Sequence, residues 1–186
     1  MADRSTARAR QDDAALIVVD VQGKLARLMH DSEAMIRSQA VLIGACRTLD
    51  LPVLWAEQLP EKLGPTVEEL REPLAGLTPC TKSSFGCLGD PELRRQLEAS
   101  GRRQVLLCGI ETHVCVWQTA ASLLEQGYEV HLIADATSSR SAFNRDIAIR
   151  RMERAGVHPS NVEMVLFELM GDAAHSSFRE VAKLLK

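Results

Sequence analysis

Three side chains have the types and positions that nucleophilic attack on a carbonyl needs. The first is Cys115, in the stretch LLCGIETHVCVWQTAASLL that runs from Leu106 to Leu124. A short apolar strand, Val105 to Cys108, stops at Gly109, and the polar residues Glu111, Thr112 and His113 follow. An apolar helical run then begins, with Cys115 in its first turn. A thiol there faces the positive end of the helix dipole and the unpaired N–H groups of the opening turn, so the thiolate is expected to be favoured. Asp20 closes the run AALIVV, and Lys82 closes the extended segment Thr78 to Lys82. A carboxylate can take the thiol proton, and an ammonium can hold the thiolate and orient a carbonyl. Each residue also has a plainer reading: a small apolar filler for Cys115, a strand-end cap for Asp20, a solvated loop residue for Lys82.

The elements that must position them follow from the pattern. Ala14 to Val19 is a continuous apolar run with β-branched residues, as in a strand buried on both faces of a parallel sheet. Asp31 or Ser32 caps a helix with Met35, Leu42, Cys46 and Leu49 at helical spacing. Val53 to Ala56 is a second strand. The segment from Gln58 to Pro79 is irregular and proline-rich, with one helical turn near Val67 to Arg71, and a loop this long is more often functional than idle. Asp90 and Pro91 open a helix that Gly101 closes. After Cys115 the helix ends at Gly127, and Glu129 to Ala134 is a strand ending in Asp135. Asn144 to Ala155 reads as a helix stopped by Gly156, Val162 to Phe167 as the last strand, and Ser177 with Glu180 as a capping box for a helix from Phe178 to Leu185. Strands alternating with helices predict an α/β fold, a parallel sheet covered on both faces. In such sheets ligands sit beyond the carboxyl ends of the strands, where Asp20, Lys82 and Cys115 all fall.

Composition limits the alternatives. The 186 residues suit one domain, 14–186, behind an N-terminal tail, 1–13, expected to be disordered. A net charge of -3 offers no footprint for nucleic acid or an anionic membrane, and no apolar run approaches the roughly 20 residues that span a bilayer. Five cysteines without tight spacing suit a reducing compartment, so the reading is cytoplasmic. Cys80 and Cys87 flank Lys82 without a second ligand pair, and no metal site is expected there. Cys108 and Cys46 read as core. His113 lies two residues from Cys115 and points elsewhere at a helix start, so an orienting or surface role is expected. Arg150, Arg151 and Arg154 read as a solvated face, and Ser138, Ser139 and Arg140 as a pocket rim or subunit contact.

Asp20 in VVDVQ, Lys82 in TKSSFG and Cys115 in GIETHVC resemble, in order and spacing, the three catalytic positions of the isochorismatase-like cysteine hydrolases. The resemblance runs from about Ala14 to Leu185. EQLPEKLGPTVEEL and GDAAHSSFREV resemble most the isochorismatase-domain-containing subgroup. The resemblance implies a three-layer α/β/α sandwich around a six-stranded parallel, Rossmann-like sheet, and amidase-like chemistry. Asp20 would deprotonate Cys115, and the thiolate would attack an amide or related C–N acyl carbon to give a thioester. Backbone N–H groups around Thr112 and Cys115 would hold the oxyanion, and a non-proline cis peptide would join Ile110 to Glu111. Gln22, Trp55, Gln58, Phe85 and Trp117 are candidates for a small-molecule substrate pocket. A homo-oligomer, at least a dimer, is implied, and no cofactor.

Two departures shape that expectation. Where nicotinamidases of the family carry a metal-binding Asp-x-His, this chain reads Trp55-Ala56-Glu57-Gln58, with no His between His30 and His113. Zinc and nicotinamidase activity are therefore not expected. Members that cleave isochorismate's vinyl ether do not rely on a cysteine nucleophile, so Cys115 points to the covalent branch. A non-catalytic binding or scaffold protein with the same fold, or a redox-sensing thiol, remain as alternatives.

Overall fold

Six strands pair side by side into one parallel sheet. The computed structural model describes residues 8–186. The strands are β1 (Ala14–Val19), β2 (Val53–Gln58), β3 (Cys80–Lys82), β4 (Gln104–Ile110), β5 (Glu129–Ser138) and β6 (His158–Ser160), in the order β3-β2-β1-β4-β5-β6. The helices are α1 (Gly23–Arg27), α2 (Ser32–Thr48), α3 (Pro60–Leu63), α4 (Pro91–Ala99), α5 (Trp117–Glu125), α6 (Ala142–Ala155), α7 (Val162–Met170) and α8 (Phe178–Leu184). None of them is long and apolar enough to cross a membrane.

The strand alternation divides the core. Ala14, Leu16 and Val18 of β1 face a cluster that includes Leu42, Ile43 and Cys46 of α2 and Val165 and Leu166 of α7. Ala15, Ile17 and Val19 face the other, with Leu93 and Leu97 of α4, Val116, Ala120 and Leu123 around α5, and Met152 of α6. Both faces are thus buried, as the unbroken apolar strands require.

The strand order reverses between β1 and β4. Val19 lies level with Ala56 of β2 on one side and Gly109 of β4 on the other. Gly109 has φ 133°, and a Cβ built on it would meet the Val19 carbonyl oxygen at 2.2 Å, so only glycine lets β4 come this close to β1. That approach brings the carboxyl ends of the two strands together.

Several expectations are corrected. The run Val162–Phe167 is not a strand but the first part of α7. Asn161 Oδ1 accepts from Met164 N (2.8 Å) and Asp135 Oδ1 from Val162 N (3.0 Å), which caps a helix. Its buried residues, Val162, Val165, Leu166, Leu169 and Met170, carry the helical spacing that a six-residue window conceals. The sixth strand is the preceding His158–Ser160. Ser177 makes no side-chain cap bond, so the capping box does not form; its N–H donates to His175 Nδ1 instead. Helix α6 starts at Ala142, two residues early, because Ser141 Oγ accepts from Asn144 N.

Residues 1–7 of the expected tail lie outside the described residues. Residues 8–13 are packed rather than disordered: Ala9 is 1% exposed, its N–H donates to Glu168, and Arg10 N donates to Gln104 Oε1.

Candidate active site

Each of the three chemistry-bearing residues is delivered by the end of a different strand. Asp20 follows β1 with φ 54°, a left-handed conformation that aspartate tolerates. Lys82 is the last residue of β3, level with Gln58 of β2. Cys115 sits in a single π-helical turn, Thr112–Val116, that leads into α5; such turns recur at functional sites. Cys115 is 6% exposed, Asp20 3% and Lys82 3%.

The ammonium of Lys82 is saturated. It donates to Asp20 Oδ2 at 2.6 Å and to the carbonyls of Ser84 and Phe85, both at 3.1 Å, with Gln58 Oε1 further off at 3.4 Å. The other carboxylate oxygen, Asp20 Oδ1, is buried and has no hydrogen-bond partner. The Cys115 thiol donates to Gln58 Oε1 at 3.3 Å. A buried acceptor left open beside a thiol is costly unless something uses it.

Electrostatics run against the activated thiolate expected from the helix start. Burial, and then the negative charge of Asp20, push the Cys115 thiol well above the ordinary thiol range, and Lys82 only partly offsets them. Burial likewise raises the Asp20 carboxyl, against the pull of Lys82. The thiol is thereby favoured over the thiolate. The dipole argument failed because burial and a neighbouring carboxylate outweigh one half-charge at a helix end.

The cis peptide between Ile110 and Glu111 does not occur; no peptide bond among the described residues is cis. The chain turns instead through Glu111 at φ 57°, whose carbonyl accepts from Val114 N and Val116 N. Ile110 is core, and Thr112 is buried with its hydroxyl 3.1 Å from that of Thr137.

Gln58 is the pocket candidate that touches the sulfur. Gln22 is fully buried, and its amide clamps Gln58 N, Gln58 O and Gly64 O, so it shapes the backbone. Trp55 donates to Thr66 Oγ1 and packs against the opposite face of the sheet from Cys115. The Phe85 side chain is exposed while its carbonyl holds Lys82. Trp117 lies under the Arg151 guanidinium, 4.5 Å from the ring centroid, which takes Arg151 out of a purely solvated face. His113 Nδ1 meets Ser139 Oγ at 3.0 Å and Glu111 Oε2 at 3.2 Å; Arg140 Nε donates to Glu111 Oε1.

Two residues escaped the sequence reading. Thr119 Oγ1 donates to Cys115 O (2.7 Å) and accepts from Cys87 N (3.0 Å), tying the cysteine turn to the loop beyond Lys82. Its position four residues after Cys115 on a helix was the available signal. Glu57, buried beside Asp20, accepts both the N–H and hydroxyl of Thr66. In the sequence it stood out only as part of Trp55-Ala56-Glu57-Gln58, where the metal-binding residues of nicotinamidases would fall.

Comparison with known proteins adds the following. Residues 14–164 match the family model described as the isochorismatase domain. Isochorismatase domain-containing protein 2 of Danio rerio is 42% identical over 171 residues, covering 91% of this chain and 85% of that protein. The structure of MAR1 ribonuclease from Caenorhabditis elegans aligns with a TM-score of 0.90 at 39% identity, over 96% of this chain and 92% of that one. YcaC from Pseudomonas aeruginosa, solved with hexane-2,5-diol and covalent acrylamide, aligns with a TM-score of 0.89 at 26% identity, over 95% and 91%.

Proposed function

The chain belongs to the isochorismatase-like hydrolase family, and from that premise we propose that it is a cysteine hydrolase of a small amide or related non-peptide C–N bond. Cys115 is the nucleophile, Asp20 the general base and Lys82 the cation that fixes Asp20. One observation carries the reading: Asp20 Oδ1 is a buried open acceptor, its sister oxygen is bound by Lys82, and the thiol is at hand. In the reaction Asp20 takes the Sγ proton as sulfur attacks the carbonyl carbon. Backbone N–H groups of the Thr112–Cys115 turn hold the oxyanion. Collapse of the tetrahedral intermediate breaks the C–N bond, and Asp20 returns the proton to the leaving amine. Water then attacks the thioester, gives its proton to Asp20, and restores the thiol as the acid leaves. Acrylamide, an electrophile that nucleophiles add to across its C=C bond, is covalent on the Pseudomonas relative, which fits a nucleophilic side chain in that protein. Cytoplasmic residence, a small-molecule substrate and self-association belong to the same proposal.

The ribonuclease name of the worm relative would imply phosphoryl chemistry on a polyanion. Here the sulfur faces a carboxylate, Cys115 is 6% exposed, and the chain carries a net charge of -3, which favours a small neutral substrate. The non-catalytic binding alternative draws on one observation, the raised thiol.

Alkylation by iodoacetamide across pH, with turnover of an amide panel, separates these readings. Asp20→Asn removes the charge that opposes the thiolate, so Cys115 should alkylate faster at neutral pH while turnover falls about 10²–10⁴-fold. Cys115→Ala should abolish turnover with an unchanged circular dichroism spectrum. Turnover surviving in Cys115→Ala, or an alkylation profile indifferent to Asp20, sinks the hydrolase reading.

A further inference from the structure

We propose that Gln58 holds Cys115 in its protonated form, its side-chain carbonyl accepting the thiol proton that Asp20 must later take. The inference rests on the hydrolase reading and names a residue that reading leaves idle. The two ends of an amide are told apart by what they face. Gln58 Oε1 lies 3.4 Å from the Lys82 ammonium, which has donors only, and Nε2 reaches toward the Ser83 carbonyl at 3.5 Å. Turning the amide over would set donor against donor at one end and acceptor against acceptor at the other. The oxygen therefore faces the sulfur, 3.3 Å away.

An acceptor in that place can bind S–H and opposes S⁻. The backbone that carries it is also held still. Gln58 N donates to Gln22 Oε1 at 2.6 Å, and Gln22 Nε2 donates back to Gln58 O at 3.1 Å and to Gly64 O at 2.8 Å. The other titratable groups around the sulfur are Asp20 after β1, Lys82 of β3 and the buried thiol of Cys87, with Glu57 of β2 acting on Asp20. Asp20 Oδ1 has no bond of ordinary geometry, yet the carboxyl and the thiol act on each other as hydrogen-bonding neighbours, so it stands next in line for the proton. Deprotonation is then a rotation of the S–H bond from Gln58 Oε1 to Asp20 Oδ1, one acceptor exchanged for another. The arrangement keeps the cysteine unreactive towards stray electrophiles and oxidants between turnovers, because the thiol form is the inert one.

The test is the pH profile of Cys115 alkylation in the full chain, read by mass spectrometry of the Cys115 peptide, in wild type, Gln58→Met and Gln58→Glu. Gln58→Met keeps the length and removes the acceptor, so the midpoint should move to lower pH by about one unit, about tenfold faster labelling at a fixed pH below it. Gln58→Glu puts a negative charge beside the sulfur and should move the midpoint up, a control that position 58 faces the thiol. A merely structural role would leave the Gln58→Met midpoint in place or raise it, and either result overturns the proposal. If Gln58→Met fails to fold by circular dichroism, Gln58→Leu, which likewise lacks the acceptor, is read in its place. Asp20→Asn in the same series keeps the two readings apart. A profile that responds to Gln58 but not to Asp20 condemns the base and spares Gln58, and the reverse pattern condemns Gln58 alone.

Discussion

The two ends of the sheet treat buried polar groups in opposite ways. At the amino ends, Gln104 is 1% exposed and fully used: Oε1 accepts from Arg10 N at 2.8 Å, and Nε2 donates to Arg8 O at 3.1 Å and Glu129 Oε1 at 3.0 Å. Glu129 also meets His131 Nε2 at 3.2 Å, so the network closes on itself and pins residues 8–10 to the sheet. At the carboxyl ends, Asp20 and Lys82 are as deeply buried, yet one carboxylate oxygen stays open and the thiol leans on a long bond to Gln58. The first arrangement is what stability favours, because an unmet buried polar group costs about 1–3 kcal/mol. The second accepts that cost where, on the proposed mechanism, a proton has to move. Completeness of hydrogen bonding, more than burial or charge, separates the structural end from the end with chemistry.

The contrast can be broken at either end. The largest effect is expected from Lys82→Met, which strands the Asp20 carboxylate in the core. Removing one partner of a buried pair costs about 3–5 kcal/mol, read as a lowered urea midpoint. The loss should shrink at acid pH, where Asp20 can take a proton instead. Tolerance of this change at pH 8 would mean that the carboxylate end is far wetter than its burial indicates.

Gln104→Ala tests the other end. It leaves Arg10 N, Arg8 O and Glu129 with one partner fewer, and should cost about 1–3 kcal/mol while kcat stays at the wild-type value. A fall in kcat at unchanged stability would show the two ends to be coupled. The smallest effect belongs to His131. Burial holds its imidazole below the usual range, with Glu129 pulling it back. Below about pH 6.5 the unfolded chain binds a proton that the folded one refuses, so stability declines as pH falls toward the lowered native value. The slope is at most about 1.4 kcal/mol per pH unit. His131→Gln should flatten it in urea titrations at pH 7.5 and 5.5; an unchanged slope would place the acid sensitivity elsewhere.

Much of this architecture was legible in the chain. The unbroken run Ala14–Val19 announces a strand buried on both faces, and Asp90-Pro91 and Gly156 mark helix boundaries where they occur. Val162–Phe167 was misread because a short apolar run has no period of its own; Asp135, a residue 27 positions away, caps it as a helix. Asp20, Lys82 and Cys115 were found by type and by position at strand ends. Their relation was not.

That division has a physical cause. Periodicity, caps and turn residues act over a few neighbours, so the sequence by itself determined the alternating elements, their parallel order of burial and the three residues at the strand ends. Solvation and hydrogen-bond partnership depend on every atom that arrives from elsewhere. Only the tertiary structure raised the Cys115 thiol, because it alone brings burial and the Asp20 charge to one sulfur. The turn at Glu111, with φ 57° where the resemblance implied a cis bond, was likewise not legible in the sequence.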